Sequence, residues 1–314
     1  MVRRELSETP RARLTAVLLW LGIAVASWYY KPRKRQSRPQ KPRWTPLPHK
    51  VEKGILAMAE KYPFWGYKRI AVLCRRDKLK VSNRQVLRVF RNHDLLRKRQ
   101  PNKKAELAQT AKLVDLLPTG PNELWQMDVT YIHVAGSGWW YAVTVIDYFS
   151  RYLLALHFTP SYAAHEVIIA LKSAREEAER VHGPLMREPF LLTDNGTSFL
   201  AKRFSSFIKD DYSHVRIQYR SLLERFHQTL KKEEVYWRIY EGPADARRCL
   251  QEFHERYNTI RPHWALIPAE GGDPLTPEEV YAHGAVTRIP AWQGWAIKAK
   301  EKLEKLQQQE EIAG

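Results

Sequence analysis

Cysteine is almost absent from this chain of 314 residues: Cys74 and Cys249 are its only two. So few, so far apart, they exclude a disulfide framework and a cysteine-rich zinc module, and they fit a reducing cytosol. Acidic residues are scarce too, 34 Asp and Glu against 52 Lys and Arg, for a formal net charge of +18. The shortage is confined to one part. Residues 1–112 hold 7 acidic and 29 basic side chains, a net of +22, while the remaining 27 acidic and 23 basic give −4. A merely solubilising surface predicts an even spread. A basic part joined to a near-neutral part is the pattern of a nucleic-acid-binding module attached to a different functional domain. Long apolar runs are also missing, with one exception. Leu14 to Tyr30, LTAVLLWLGIAVASWYY, is 17 residues long, at the lower limit for a membrane span. It follows Arg3, Arg4, Arg11 and Arg13, as a signal peptide or anchor would. Gly22 in its middle suits the turn of a helix-turn-helix instead. The length admits two or three domains and a sizeable core.

The basic part has an organised interior. Lys31 to Pro48, KPRKRQSRPQKPRWTPLP, is too rich in proline and charge for a regular element and reads as an extended linker. Helical periodicity begins at Val51, with Ile55, Met58 and Ala59 on one face, and breaks at Tyr62-Pro63. Lys68 to Arg76 gives a second helix around Ile70, Val72 and Leu73. Ser82 is a good N-cap for a third, Arg84 to His93. There Val86, Leu87 and Phe90 point inward, and Arg84, Arg88 and Arg91 point outward. Three short helices with a basic face on the last match helix-turn-helix geometry for DNA, though such a face is often only solvated. The run Arg97 to Lys104 adds phosphate-seeking charge.

Past a short helix around Ala105 to Leu117 the pattern turns extended. Leu124 to Ile132 is β-rich, with Asp128 isolated in its middle, a costly place for a charge without a partner or a metal. A turn at Gly136-Ser137-Gly138, a strand from Trp139 to Asp147 and another from Arg151 to Phe158 make an antiparallel meander. A helix from Ala163 to Arg180 follows, with Val167, Ile168 and Leu171 inward. Phe190 to Thr193 is a strand with Asp194 at its carboxyl end, where ligands bind in open α/β sheets. Alternatively, Asp194 only opens an Asn-Gly turn. Ser198 to Ile208 reads as a helix, Val215 to Tyr219 as a strand and Leu222 to Trp237 as a longer helix. Glu224 lies in that helix's first turn, with His227, Gln228 and Lys231 on the same face. Taken alone, Glu224 is equally a first-turn acid favoured by the helix dipole. Together, two strand carboxylates and one helix carboxylate can converge on Mg²⁺, and two such ions about 4 Å apart support phosphoryl transfer.

These strings, LWQMDVTYI, YAVTVIDYFSRYLLAL, LLTDNGTSF, LLERFHQTLKKEEVYW and YNTIRPHWAL followed by LTPEEVY, resemble insertion-sequence transposases of the retroviral-integrase superfamily. YPFWGYKRIAVLCRRDKLKVSNRQVLRVFRNHDLL is similar to the helix-turn-helix region that precedes their core, and LGIAVASWYY to a still earlier segment. The resemblance implies an α/β fold, a ribonuclease H-like mixed five-stranded sheet flanked by helices, behind an all-α region. It implies a catalytic and metal-binding triad of Asp128, Asp194 and Glu224 with Mg²⁺ or Mn²⁺, and a structural Asp147. Asn195 and Gly196 would shape the turn after the second acid. Lys231, His227, Gln228, Arg84, Arg88 and Arg91 become DNA-binding candidates. The expected parts are residues 1–30, a partial helix-turn-helix; 31–48, the linker; 49–112, a DNA-binding domain; 113–285, the catalytic core; and 286–314, a tail helix. That tail is amphipathic from Trp292 to Gln309, for packing or subunit contacts. Cleavage of double-stranded DNA at element ends and strand transfer into a target would be carried out by a homo-oligomer in the cytoplasm, on the nucleoid, without a membrane. One departure stands out. Only 29 residues separate Asp194 from Glu224, where relatives carry a longer, Pro- and Gly-containing loop before the helix. Glu233 and Glu234 are rival third acids. A catalytically silent DNA-binding relic and a ribonuclease H-like nuclease are the alternative functions.

Overall fold

The computed structural model describes residues 14–28, 47–96, 117–194, 196–209, 212–216 and 222–288. It divides into Met1–Leu47 and Pro48–Gly314. The first unit contains two short helices, α1 (Leu14–Trp20) and α2 (Val25–Trp28). The turn between them passes through Gly22 at φ +66°, a left-handed conformation that suits glycine. Among the described residues no helix is long and apolar enough to cross a membrane. The expected helix at 105–117 and the tail from Trp292 lie outside the described residues.

The second unit opens with three helices, α3 (His49–Lys61), α4 (Tyr67–Arg76) and α5 (Asn83–Asn92). Pro63 ends the first of them, because the residue before a proline is driven out of helical geometry. Ser82 caps α5 reciprocally: its side chain accepts from the Gln85 backbone, and the Gln85 side chain accepts from the Ser82 backbone. Ile55, Ala59, Ile70, Val72, Leu73, Val86, Val89 and Phe90 are buried. Val89 takes the inward place expected of Leu87, which is only half-buried. Arg84 and Arg91 are exposed and Arg88 is half-buried.

The mixed five-stranded sheet follows, in the order β3-β2-β1-β4-β5. Its strands are β1 (Leu124–Val134), β2 (Gly138–Asp147), β3 (Leu153–Thr159), β4 (Phe190–Thr193) and β5 (Ser213–Arg216). The first three form the antiparallel meander, and β4 and β5 add in parallel. Side-chain alternation divides β1 between two cores. Trp125 and Met127 pack under α6 (Ala164–His182), against Val167, Leu171 and Ala174. Ile132 and Val134 face the other side, against Leu223, Phe226 and Leu230 of α9 (Leu222–Glu233) and Leu250, Phe253 and Tyr257 of α10 (Pro243–Thr259).

Three expected elements differ in extent. The single helix of residues 198–208 is two, α7 (Thr197–Leu200) and α8 (Lys202–Ile208), because Ala201 between them is extended at φ −62°, ψ 135°. The fifth strand begins earlier, at Ser213. The helix expected to run to Trp237 stops at Glu233, and a 3₁₀ turn covers Val235–Trp237. Arg256 ends it by donating to the Glu233 carbonyl (3.3 Å) and the Glu234 carboxylate (2.8 Å). The last helix among the described residues, α11 (Pro277–Tyr281), returns to the segment before β1: Tyr281 stacks on Tyr152 and donates its hydroxyl to Asn122.

Asp147, at the end of β2, is fully buried. It accepts hydrogen bonds from the backbone of Asn122 (2.9 Å) and Ser150 (2.7 Å), and from the Ser150 hydroxyl. Burial pushes its carboxyl up to about 6, while these donors and Arg151 pull the other way. Asp147 thus pins the β2–β3 turn to the segment leading into β1. Replacing it with alanine strands three donors and is expected to cost about 2–4 kcal/mol of unfolding free energy. The reading is a lower urea midpoint with an unchanged slope.

Candidate active site

Asp128 occupies an even-numbered position of β1, the side facing α9. Its neighbour in space is set by sheet register. β4 pairs in parallel with β1 as Leu124–Phe190, Trp125–Leu191 and Gln126–Leu192. Carried two residues further, the same register sets Asp194 level with Asp128 on the adjacent chain. Asp194 is exposed, and its Oδ1 accepts the Gly196 N–H at 2.8 Å. Gly196 has an ordinary φ of −59°, so its glycine is a matter of space. A Cβ there would stand 2.9 Å from Asp194 Oδ1 and 3.3 Å from the Phe199 ring. Asn195 lies outside the described residues.

Glu224 is the third residue of α9, which reaches the same corner through a bond to the sheet. The Leu223 N–H donates to Gln126 Oε1 at 3.3 Å, and Gln126 sits two positions before Asp128 on the same face of β1. Burial of Leu223 and Phe226 against Ile132 and Ile146 holds the helix down. Asp128 therefore has company. Burial pushes its carboxyl up to about 6, and the negative charges of Asp194 and Glu224 push in the same direction against the Val129 N–H that it accepts. Three hard-oxygen donors that repel one another are the chemistry a divalent cation neutralises. Among the described residues no three His, Cys, Asp or Glu side chains stand close enough to enclose an ion. The acids share a field rather than a finished cage.

His227 corrects an expectation. It does not lie on an outward face near DNA but is buried, with Nε2 2.9 Å from the Thr144 hydroxyl and Nδ1 3.6 Å from Asp128 Oδ2. Burial, helped by the Lys231 charge, pushes its imidazole down to about 3. It is neutral near pH 7, so its approach to Asp128 is not an ion pair. The reason is rotation along α9: His227 follows Phe226 at the margin of the apolar stripe, where the Thr144 hydroxyl offers a buried partner. Gln228 is exposed and Lys231 half-buried, as outward residues of that helix should be.

Glu233 and Glu234 have other employment. Glu233 receives Arg261 through both its oxygens (2.9 and 3.0 Å) and the Trp65 indole N–H at 2.8 Å. Burial pushes its carboxyl up, but Arg261 and Arg69 more than offset this and hold it below the usual range. Glu234 pairs with Arg256 (2.8 Å) and Arg238 (2.9 Å). The residues that sequence reasoning overlooked here are Gln126 and Thr144, polar side chains inside core strands. A polar residue two places from an isolated acid was the available signal.

Two integrase core domain families match the chain, over residues 118–218 and 201–267. An uncharacterized 39.2 kDa protein of insertion element IS476 from Xanthomonas euvesicatoria is 23% identical over 268 residues, 83% of this chain and 72% of that one. The putative transposase InsK of insertion sequence element IS150 from Escherichia coli is 25% identical over 210 residues, 63% of this chain and 72% of that one. The chain thus carries integrase core sequence and is similar to insertion-sequence transposases. Its mixed five-stranded sheet with flanking helices is the architecture expected from the resemblance. The HTLV-2 integrase catalytic core domain, solved in complex with magnesium, is a structural neighbour at TM-score 0.39 and 19% identity, covering 52% of this chain and 98% of that chain.

The Asp128 carboxyl titrates near 6 in the fold against about 3.9 in an unfolded chain. Folding thus disfavours its ionised form, a cost that is absent below pH ~4, grows between the two values and is complete above about 6. Without divalent cations, Asp128→Asn is expected to stabilise the protein at pH 7.5 by about 1–3 kcal/mol and to leave it unchanged at pH 3.5. Thermal melts at both pH values, in a chelator, measure this.

Proposed function

We propose that Asp128, Asp194 and Glu224 are the acidic triad of a metal-dependent polynucleotidyl transferase, which cuts DNA at element ends and joins the freed 3′-hydroxyl to target DNA. The observation that carries this is the shared field of the three carboxylates, set up by β-strand register and the docking of α9. The burial of Glu233 and Glu234 in ion pairs supports Glu224 as the third acid. Two Mg²⁺ or Mn²⁺ ions bound by these oxygens would supply charge neutralisation at the phosphoryl group and an activated oxygen nucleophile. The chain's own residues do the rest. Asp128 and Asp194 present oxygens from a rigid sheet, and Gly196 leaves room for the Asp194 carboxylate. His227, neutral and held by Thr144, fills the space beside Asp128 without adding charge. Lys231 and Gln228, on the Glu224 side of α9, meet nearby phosphates.

In this reading residues 49–112 bind DNA, with Arg84, Arg88 and Arg91 contacting the backbone, and 113–285 perform the transfer. Residues 1–30 and 31–48 add a further helical contact and a basic tether, and 286–314 contribute packing. Two or more protomers bridge paired ends. A catalytically silent DNA-binding chain is the second reading, favoured by the short passage of 29 residues between Asp194 and Glu224.

The test uses a duplex carrying the sequences that flank the gene. The native chain is expected to nick it and transfer its end with Mg²⁺, while Asp128→Asn binds it equally well and does neither. Full activity in that variant would sink the triad; inactivity of the native chain, with intact binding, would select the silent reading. Alanine at Arg84, Arg88 and Arg91 together is expected to weaken duplex binding and lower the slope of log affinity against log salt by about 2–3. Titrations from low to high salt read this out.

A further inference from the structure

The RPH segment of Arg261, Pro262 and His263 was conspicuous in the sequence and takes no part in the triad. Its arginine is buried, as is the carboxylate it grips. Glu233 is the last residue of α9, and Glu224 is on the first turn of the same helix. Around Glu233 converge three side chains from two parts of the chain. Arg261, just beyond α10, makes the two-pronged contact (2.9 and 3.0 Å). From the α3–α4 turn comes the Trp65 N–H at 2.8 Å, and from α4 comes Arg69 at 3.5 Å. Trp65 is itself fixed by stacking on Tyr62 (4.6 Å) and edge contact with Phe64. Arg256 lies over the Phe64 ring while capping the end of α9. Nearer its other end α9 meets the sheet through Leu223 N–H to Gln126 and through His227 to the Thr144 hydroxyl, besides its apolar packing.

We infer that Trp65 and Arg261 are positioning residues for Glu224, acting through Glu233 to set the placement of α9 and tying the DNA-binding helices to the transferase site. This rests on Glu224 being the third acid. A helix transmits such placement because it is stiff: nine residues at 1.5 Å each separate the clamp from the acid by about 13–14 Å along the axis. A small tilt at the clamp moves Glu224 by a comparable amount, and a displacement of about 1 Å costs up to a hundredfold in rate. Were the clamp only a packing feature, its loss would lower stability and leave the turnover of the folded protein intact.

Two variants test this in the full-length protein. Trp65→Phe keeps the stacked ring and removes the N–H donor; Arg261→Lys keeps the charge and removes the fork. In each, kcat for transfer of a pre-cut end is expected to fall about tenfold, with KM for the end duplex within about twofold of the native value. The double variant should be scarcely worse than either single change. An unchanged kcat, or a fall matched by a rise in KM, overturns the inference. Amide exchange in the metal-free protein gives an answer independent of turnover. Exchange across Leu223–Lys231 is expected to accelerate about tenfold in Trp65→Phe, relative to β1, and equal protection would overturn the clamp. Glu224→Gln, expected to abolish transfer if Glu224 is the third acid, tests that assignment separately, so failure of one reading is not failure of the other.

Discussion

Parallel pairing between β1 and β4 is the constraint on which the rest depends. β4 has only four residues, bonded on one side to β1 and on the other to β5. Its register with β1 decides that the acid after the strand arrives beside Asp128. A shift of one residue would turn Leu191 and Leu192 to the wrong faces as well as misplacing Asp194. Site geometry and core packing are therefore specified by the same hydrogen bonds. The core under α6 guards the register, because Leu191 packs with Trp125, Met127 and Val143.

Buried charge is used in two contrasting ways. Asp147, Glu233 and Glu234 are each met by donors or guanidinium groups of the chain, and each ties together segments distant in sequence. Removing a partner from such a pair leaves an uncompensated charge, so these acids are fixed features of the fold. Asp128 is different. Beside it stands the imidazole of His227, pushed toward its neutral form, and the carboxylates of Asp194 and Glu224 raise its pKa further. The fold pairs its structural acids with cations and donors, whereas Asp128 faces the negative charges of Asp194 and Glu224.

Much of this was legible from residue patterns. The meander, Asp128 within a core-like strand and Asp194 at a strand's end followed from alternation and from the Asn-Gly break. The Ser82 cap and the three helices around it followed from periodicity. What was not legible arose from contacts between distant segments. Nothing local to Leu222–Trp237 says that Arg256, from the next helix, will end α9 at Glu233. His227 shares a helical face with Glu224, and only the Thr144 hydroxyl, on a strand 83 residues earlier, explains its turn inward. Equally, nothing local shows that Arg261, Arg256 and Trp65 will supply partners for Glu233 and Glu234.

The sharp division of charge along the chain has a counterpart in how the parts are joined. A basic module and a transferase core need only a tether to coexist, and charge alone would allow a loose one. Instead, α4 and the α3–α4 turn, which pack with the helix bearing Arg84 and Arg91, are pinned to the carboxy-terminal part of the core. Arg75 pairs with Asp273, Arg76 with Glu279 and Trp65 with Glu233. Two of these pairs are partly exposed and weak individually, whereas the Glu233 contact is buried and joined by Arg261. The strongest link thus falls on α9, the helix that also carries Glu224. The amino-terminal helices and the three acids are thereby held in one frame, with α9 common to both.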